Sequence, residues 1–436
     1  MDKVYPKILV IGETFHMNTG GGITLCNLFS EWPVDKLANA VDFKKTEINK
    51  AFADINTYEL YNEKMVFELF KIKQLRFLKK QSGSLKDKKC ITLKSLLKYH
   101  IKKLLNSLLN YSGLRHFVFH YNVSNEFIKW INDFKPDYIY SQLSSRDLIR
   151  LVADLSDITN IPIAIHIMDD WPSTISSKGL FKEYWKKKIN NEFLGLLDKS
   201  SIFLSISKYM SDEYLIRYGK FFIPFHNPLD LTRWDGDSIK DSREGGSFNF
   251  LYAGRIGLGI MNSLLKFIET LESLNDQNIS VHLYIQSSDI DLRFEKKISR
   301  YKCVKINPPV EYKKVPQIIK NADALVLCND FDKEGKAFLK YSMPTKASEY
   351  MISKVPILLF SDSSSAVYRH AEENGWAYLV GDNDTFLLRS AILDLMENEV
   401  LREALVKKAF QYAKENFDSK IVRGKFLSVF NKVEYV

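Results

Sequence analysis

Short runs of uninterrupted apolar residues recur along this chain, each bounded by a turn and most followed by a helical pattern. The first is Lys7–Gly12 (KILVIG), apolar from Ile8 onward. A strand with one face in water alternates apolar and polar residues. A run that does not alternate is buried on both faces, as in parallel sheets covered by helices on each side. Further runs follow at Tyr138–Ser141, after the turn Lys135-Pro136-Asp137, and at Ile161–Met168, Ile202–Ile206 and Phe221–Pro224. Residues 232–247 are polar and lack any apolar period, which predicts a linker. The alternation then restarts with strands Phe248–Ala253, Val281–Ile285, Ala324–Leu327 and Ile357–Phe360. Helices Met261–Leu274, Val315–Asn321 and Thr345–Ser353 lie between them. Three helical patterns close the chain, the last from Ser419 to about Val433. The pattern predicts an α/β protein of two doubly wound, Rossmann-like units.

Composition narrows the class. Of 436 residues, 45% are hydrophobic and 26% charged, which excludes a disordered or fibrous chain. No apolar run approaches the ~18 residues of a spanning helix. The N-terminal apolar stretch is too short for a signal peptide and reads as the first strand. Cys26, Cys90, Cys303 and Cys328 form no CxxC pair, which predicts reduced thiols in a cytosolic protein. The net charge of +9 has a local origin. Thirteen Lys and Arg lie between Lys64 and Lys103 against only Glu68 and Asp87, a local +11 that leaves the rest at −2. The same segment carries apolar residues at helical spacing. It predicts a basic helical insert over 64–108 that suits an anionic membrane surface through 64–103. Ordinary solvated helices are the second reading, and nucleic-acid phosphates are the least favoured.

Two glycine-rich turns follow the first strand of each half, Gly20–Gly22 and Gly254–Gly259. Glycines let backbone amides approach a phosphate, and a helix start adds a favourable dipole. The spacing is not GxGxxG and no acidic residue stands where a dinucleotide ribose would need one, so no nicotinamide cofactor is expected. Arg255 sits directly after the second strand and offers a fork to a diphosphate. In Lys340–Pro356 (KYSMPTKASEYMISKVP), Thr345 can cap a helix whose first turn carries Lys346. Glu349 follows one turn later, where a carboxylate can accept from two vicinal hydroxyls. Lys346 and Glu349 also make an ordinary helix pair. Four Asp-x-Asp pairs (235/237, 289/291, 330/332 and 382/384) lie in polar stretches typical of turns, and no catalytic metal is expected.

The Lys340–Pro356 stretch resembles the donor-site motif of retaining GT-B glycosyltransferases, those of glycosyltransferase family 4. The subgroup acting on polysaccharides and O-antigens reads roughly S-x-P-x-K-x-x-E-Y-M-x-x-x-x-P. Here the matching residues are Ser342, Pro344, Lys346, Glu349, Tyr350, Met351 and Pro356. FNFLYAGRIG resembles the strand opening the family's donor domain, with Arg255 at the phosphate-binding arginine. IPFHNPLDL resembles the Asn-x-x-Asp segment, here Asn227 and Asp230. The Gly20–Gly22 turn resembles the N-terminal glycine loop. Three departures stand out. Tyr341 takes the place of the first glutamate of the E-x7-E pattern, and no lysine follows the Gly-Arg turn. In IPIAIHIMDDWP, Met168 replaces the histidine of a His-Asp-x-Trp-Pro pattern.

The resemblance implies two Rossmann-like domains facing across a cleft. Their bounds would be 1–231, a linker at 232–247, a donor domain at 248–416 and a closing helix at 417–436. It implies transfer of a sugar, with retention and without a metal or other cofactor, from a nucleotide diphosphate sugar to a glycan or polyprenyl-linked acceptor in surface polysaccharide synthesis. The implied catalytic residues are Asp169, Arg255 and Lys346. Gly254, Arg255, Gly257, Thr345, Lys346 and Glu349 would bind the donor, while His16, Gly21 and Gly22 would line the acceptor and phosphate loop. His166 is a weaker candidate than Asp169 for an acid/base or acceptor-positioning role and reads first as a core histidine bonded to backbone. The implied location is the cytoplasm, peripheral on the inner membrane face. A non-catalytic adaptor for membrane or nucleic acid is the rival reading, and a nucleotide-sugar epimerase or hydrolase a third.

Overall fold

Two parallel sheets carry the fold of the computed structural model, which describes residues 4–17, 19–42, 48–66, 72–73, 109, 111–113, 116, 119–175, 179–234, 246–287 and 290–431. In chain order the first strands are β1 (Ile8–Ile11), β2 (Leu37–Val41) and β3 (Asn56–Glu59). A small antiparallel sheet follows, of β4 (Lys64–Val66), β5 (Ile72–Lys73) and β6 (Phe119–Tyr121). Then come β7 (Tyr138–Ser141), β8 (Ile163–Ile167), β9 (Ser200–Ser205) and β10 (Ile223–Pro224). Among the described residues the first large sheet has the order β10-β9-β8-β7-β1-β2-β3. The second is built from β11 (Phe248–Ala253), β12 (Val281–Gln286), β13 (Val304–Asn307), β14 (Ala324–Cys328), β15 (Ile357–Phe360) and β16 (Tyr378–Val380). Its order is β13-β12-β11-β14-β15-β16. In both sheets the chain runs to one edge and then returns past its first strand, so the order reverses beside β1 and beside β11. That is the doubly wound order.

Several of the apolar runs became fully buried strands. Every residue of β1, β7, β8, β14 and β15 is buried. Strand β2 was hidden from a reading of apolar runs because Asn39 interrupts it. That side chain is buried, and its Nδ2 donates to the Val10 and Glu13 carbonyls at 3.1 and 3.0 Å, so the donor half of the amide is satisfied in place. In the second sheet Phe250, Tyr252, Leu283 and Ile285 pack with Leu264, Phe267 and Leu271. Each large apolar side chain buried this way contributes about 1.5–3 kcal/mol.

By contacts the chain divides into two compact units. One comprises Met1–Thr14, Trp32–His166 and Trp171–Phe203; the other comprises Phe15–Glu31, Ile167–Asp170 and Leu204–Val436. All ten residues expected at the site lie in the second unit. Five helices of that unit matter below: α1 (Gly20–Leu28), α2 (Lys208–Tyr218), α3 (Met261–Asn275), α4 (Thr345–Ile352) and α5 (Ser419–Asn431). Helix α5 packs on α1 through Phe426 and Phe29, ring centroids 5.1 Å apart.

The basic segment expected to be helical opens instead with β4 and β5, and most of its remainder to 108, Cys90 included, lies outside the described residues. Cys26, Cys303 and Cys328 are buried free thiols. No described helix is long and apolar enough to cross a membrane.

Candidate functional site

Doubly wound sheets collect ligands at the carboxyl ends of their strands, where the strand order reverses. In the second sheet that place is the end of β11 beside β14. Gly254 follows β11 with φ +149°, a conformation side chains rarely adopt, and its amide donates to the Gln286 carbonyl at 2.9 Å. The side chain of Lys346 occupies the space a Cβ would need there, with Nζ and Cδ each 3.3 Å from that position. The same ammonium stands 3.8 Å from the centroid of the Tyr252 ring. The Tyr252 hydroxyl donates to the Arg255 carbonyl at 2.7 Å and so fixes the turn. One helical turn past Lys346, the Tyr350 hydroxyl accepts from the Ala253 amide at 2.7 Å and donates to the Ala253 carbonyl at 3.2 Å. Lys346 and Tyr350 thus meet the end of β11 from one face of α4.

The site is short of negative charge. Burial pushes the Lys346 ammonium down to about 8; the Cys328 thiol acts against that shift and the Arg255 charge reinforces it. Cys328, at the end of β14, is no counterion, because burial holds its thiol up at about 12. Arg255 is exposed, with Nη1 3.1 Å from where a Cβ on Gly257 would stand. Among the described residues neither Arg255 nor Lys346 makes an ion pair. Two neighbouring cations without a carboxylate partner form a site suited to an anion.

Helix starts supply the remaining donors. Thr345 was expected to cap α4, but the cap position is Pro344, which offers no side-chain acceptor, and Thr345 is the first helical residue. The amides of Thr345 and Lys346 therefore have no partner among the described residues. The start of α1 lies alongside: a Cβ on Gly20 would be 3.5 Å from Thr345 Cγ2. Thr19 caps α1 by accepting from the Gly22 amide at 3.0 Å. His16 is buried beneath this turn, 2.7 Å through Nδ1 from where a Cβ on Gly22 would stand. The start of α3 behaves differently. A helix start after the Gly254–Gly259 turn was expected to be open to phosphate, yet the Ser263 amide donates to Asp330 Oδ1 at 2.8 Å and the Ser263 hydroxyl to the Asn329 carbonyl at 2.7 Å. A carboxylate already holds that place.

Asp169 follows β8, half-buried, and accepts from the Ser342 hydroxyl at 2.8 Å. Burial raises its pKa most; the Ser342 bond and the Arg255 charge lower it, and the Asp170 charge raises it. The adjacent Asp170 is buried and has a different task, accepting from the Tyr214 hydroxyl at 2.9 Å and from Arg217 Nη1 and Nη2 at 2.8 and 3.2 Å. His166 is a core histidine, as expected, with Nδ1 2.6 Å from the Tyr140 hydroxyl. Glu349 is half-buried one turn along α4 from Lys346. The second aspartates of three Asp-x-Asp pairs, Asp291, Asp332 and Asp384, each cap a helix by accepting from two first-turn amides.

The structure therefore gathers Gly254, Arg255, Gly257 and Lys346, sets Thr345 beside the start of α1, and brings Asp169 within the field of Arg255. Sequence reading gave no role to Tyr252, Ser342 or Tyr350, although two of them stand in the quoted motif. Their tasks are hydrogen bonds and a ring face, which spacing does not reveal.

Neither protein-family models nor curated proteins match the chain at sequence level. Solved structures match its fold along nearly the whole length. Anabaena HepE in complex with UDP and glucose is 12% identical, with 98% of this chain and 100% of that chain covered at a TM-score of 0.62. A glycosyltransferase from Rickettsia africae is 10% identical, with 98% of both chains covered at 0.61. UDP-GlcNAc 2-epimerase from Neisseria meningitidis, bound to UDP-GlcNAc, is 12% identical, with 97% and 99% covered at 0.50. These likenesses show a shared GT-B architecture of two Rossmann-like domains.

Proposed function

We propose that this protein is a glycosyltransferase that moves a hexosyl group, with retention and without a metal, from a nucleotide diphosphate sugar to a glycan or polyprenyl-linked glycan. One observation carries the reading: two cations that make no ion pair among the described residues, Arg255 and Lys346, stand near the unfilled amides of α4 where the strand order reverses. As the sugar departs it becomes oxocarbenium-like and charge grows on the diphosphate. Arg255, Lys346 and the α4 amides stabilise that charge, each cation supplying about 3 kcal/mol once the bound donor excludes water. Gly254 and Gly257 let the diphosphate approach the backbone, and Thr345 lies at its edge. Glu349 accepts from the nucleotide ribose. Asp169 serves the acceptor side, and His16, Gly21 and Gly22 line the acceptor and phosphate loop. Assigned by sheet rather than by contacts, the domains would be 1–231, carrying β1–β10, and 248–416, carrying β11–β16, with 417–436 closing the fold. A lipid-linked acceptor in surface polysaccharide synthesis would place the protein at the inner membrane face, with the basic segment 64–103 against anionic lipid.

The first test is a thermal-shift screen with UDP, GDP, ADP, dTDP and CMP. A bound diphosphate at a hundredfold excess over Kd stabilises by about 2.7 kcal/mol, and CMP, which lacks the diphosphate, should do less. Arg255→Ala should abolish most of that shift. Stabilisation by none of them in the wild type would sink the proposal. The likeness to the Rickettsia glycosyltransferase accords with transfer and that to HepE with a UDP-bearing ligand, whereas the epimerase likeness supports a second reading, that of a nucleotide-sugar epimerase. Isomerised nucleotide sugar formed without an acceptor would select it.

A further inference from the structure

We infer that Arg217 is a positioning residue for the proposed transfer, holding the Asp169–Ser342 hydrogen bond in place by gripping the residue next to each partner. The inference rests on the reading of Asp169 as the acceptor-side carboxylate. Asp169 and Ser342 are 173 residues apart in sequence and meet through one hydrogen bond of 2.8 Å. Arg217, in the last turn of α2, reaches both chain segments. On one side its Nη1 and Nη2 donate to the two oxygens of Asp170, directly after Asp169, at 2.8 and 3.2 Å. On the other its guanidinium lies 5.8 Å from the ring centroid of Tyr341, directly before Ser342.

The rest of α2 reinforces this grip. Ser207, its cap, donates to the Tyr341 carbonyl at 2.8 Å, and Tyr214 donates to Asp170 at 2.9 Å. Glu213 accepts from Arg217 Nε and Nη2 at 3.1 and 2.8 Å and so fixes the plane of the fork. The charged groups around the guanidinium are thus Asp170 and Glu213, with Lys340 over the Tyr341 ring at 5.0 Å. An arginine suits this position because one planar group can bridge a carboxylate in two-point fashion and lie against an aromatic ring. A fixed carboxylate geometry matters for transfer because small misplacements of a reacting group lower rates steeply.

The test combines crystal structures with kinetics of the full chain. In Arg217→Gln the Asp169–Ser342 distance should open beyond about 3.5 Å, the limit of a useful hydrogen bond. With a donor that the wild type turns over, kcat should fall about thirtyfold while the donor KM stays within threefold. Arg217→Lys, which returns the charge without the fork, should recover part of kcat. If Arg217→Gln does not fold, Tyr341→Leu takes its place, with a fall in kcat of about threefold. An Asp169–Ser342 contact unchanged at 2.8 Å overturns the inference, as does an opened contact with unchanged kcat. A wild type inactive with every donor, whose Arg217→Gln crystal nonetheless shows the contact opened, leaves the grip standing and removes the transferase reading instead.

Discussion

The two large sheets reverse their strand order in the same way, and each places a glycine with positive φ just beyond its first strand. The two places differ in what fills them. After β1, Gly12 has φ +93°, and the Cδ1 of Leu148 lies 2.7 Å from where its Cβ would be. After β11, Gly254 has φ +149° and the neighbour is the Lys346 ammonium. The first place is sealed by an aliphatic side chain, while the second holds a cation with no counterion among the described residues. Topology makes both places able to receive a ligand, and one side chain in each decides what can enter. The helix starts repeat the lesson, since α4 leaves its first amides unfilled whereas Asp330 fills those of α3.

Removing the cation tests this contrast most strongly. Lys346→Ala should lower turnover of a nucleotide sugar by about 10²–10³-fold, the loss expected for one donor aimed at developing charge. Steady-state kinetics would measure it, and a change below threefold would remove Lys346 from the site.

Proton linkage comes next. In the free protein the Lys346 ammonium titrates near 8, below the ordinary lysine value, because burial disfavours its charge. A bound diphosphate favours the ammonium and raises that value again. Below about pH 8 the lysine is charged in both states and affinity is insensitive to its proton. As pH rises through about 8 the free protein loses the proton, so UDP affinity should fall about tenfold per pH unit toward the bound-state value. Calorimetry at pH 9 in buffers of different ionisation enthalpy should show uptake of close to one proton. Absence of uptake would mean that the ammonium does not face the ligand.

The smallest effect separates the two glycines. Gly12→Ala forces a side chain into a disfavoured φ and against Leu148. It should cost about 1–3 kcal/mol of stability in denaturant melts, with UDP affinity unchanged. Gly254→Ala should weaken UDP binding more than its loss of stability accounts for. Equal behaviour of the two variants in both assays would erase the distinction drawn here.

Much of this arrangement was legible in the sequence. Fully buried strands announce themselves as apolar runs, because helices covering both faces leave few polar positions, and β1, β8, β14 and β15 all show it. Strand β2 escaped because the Asn39 Nδ2 finds its acceptors in the Val10 and Glu13 carbonyls, partners that only the folded chain supplies. Arg255 and Lys346 were legible as cations at glycine turns and helix starts. The sequence by itself thus determined the doubly wound class, the two glycine turns and the pair of cations, since these follow from local periodicity and residue type. Only the tertiary structure decided which helix start stays open, because the carboxylate that closes α3 comes from Asp330, 67 residues away from Ser263. It alone also decided that Lys346 has no carboxylate partner, and that Asp170 is clamped by Arg217 while Asp169 is left to Ser342. Burial and pairing are properties of neighbours in space, and nothing in the local order of residues fixes which neighbours a folded chain will bring together.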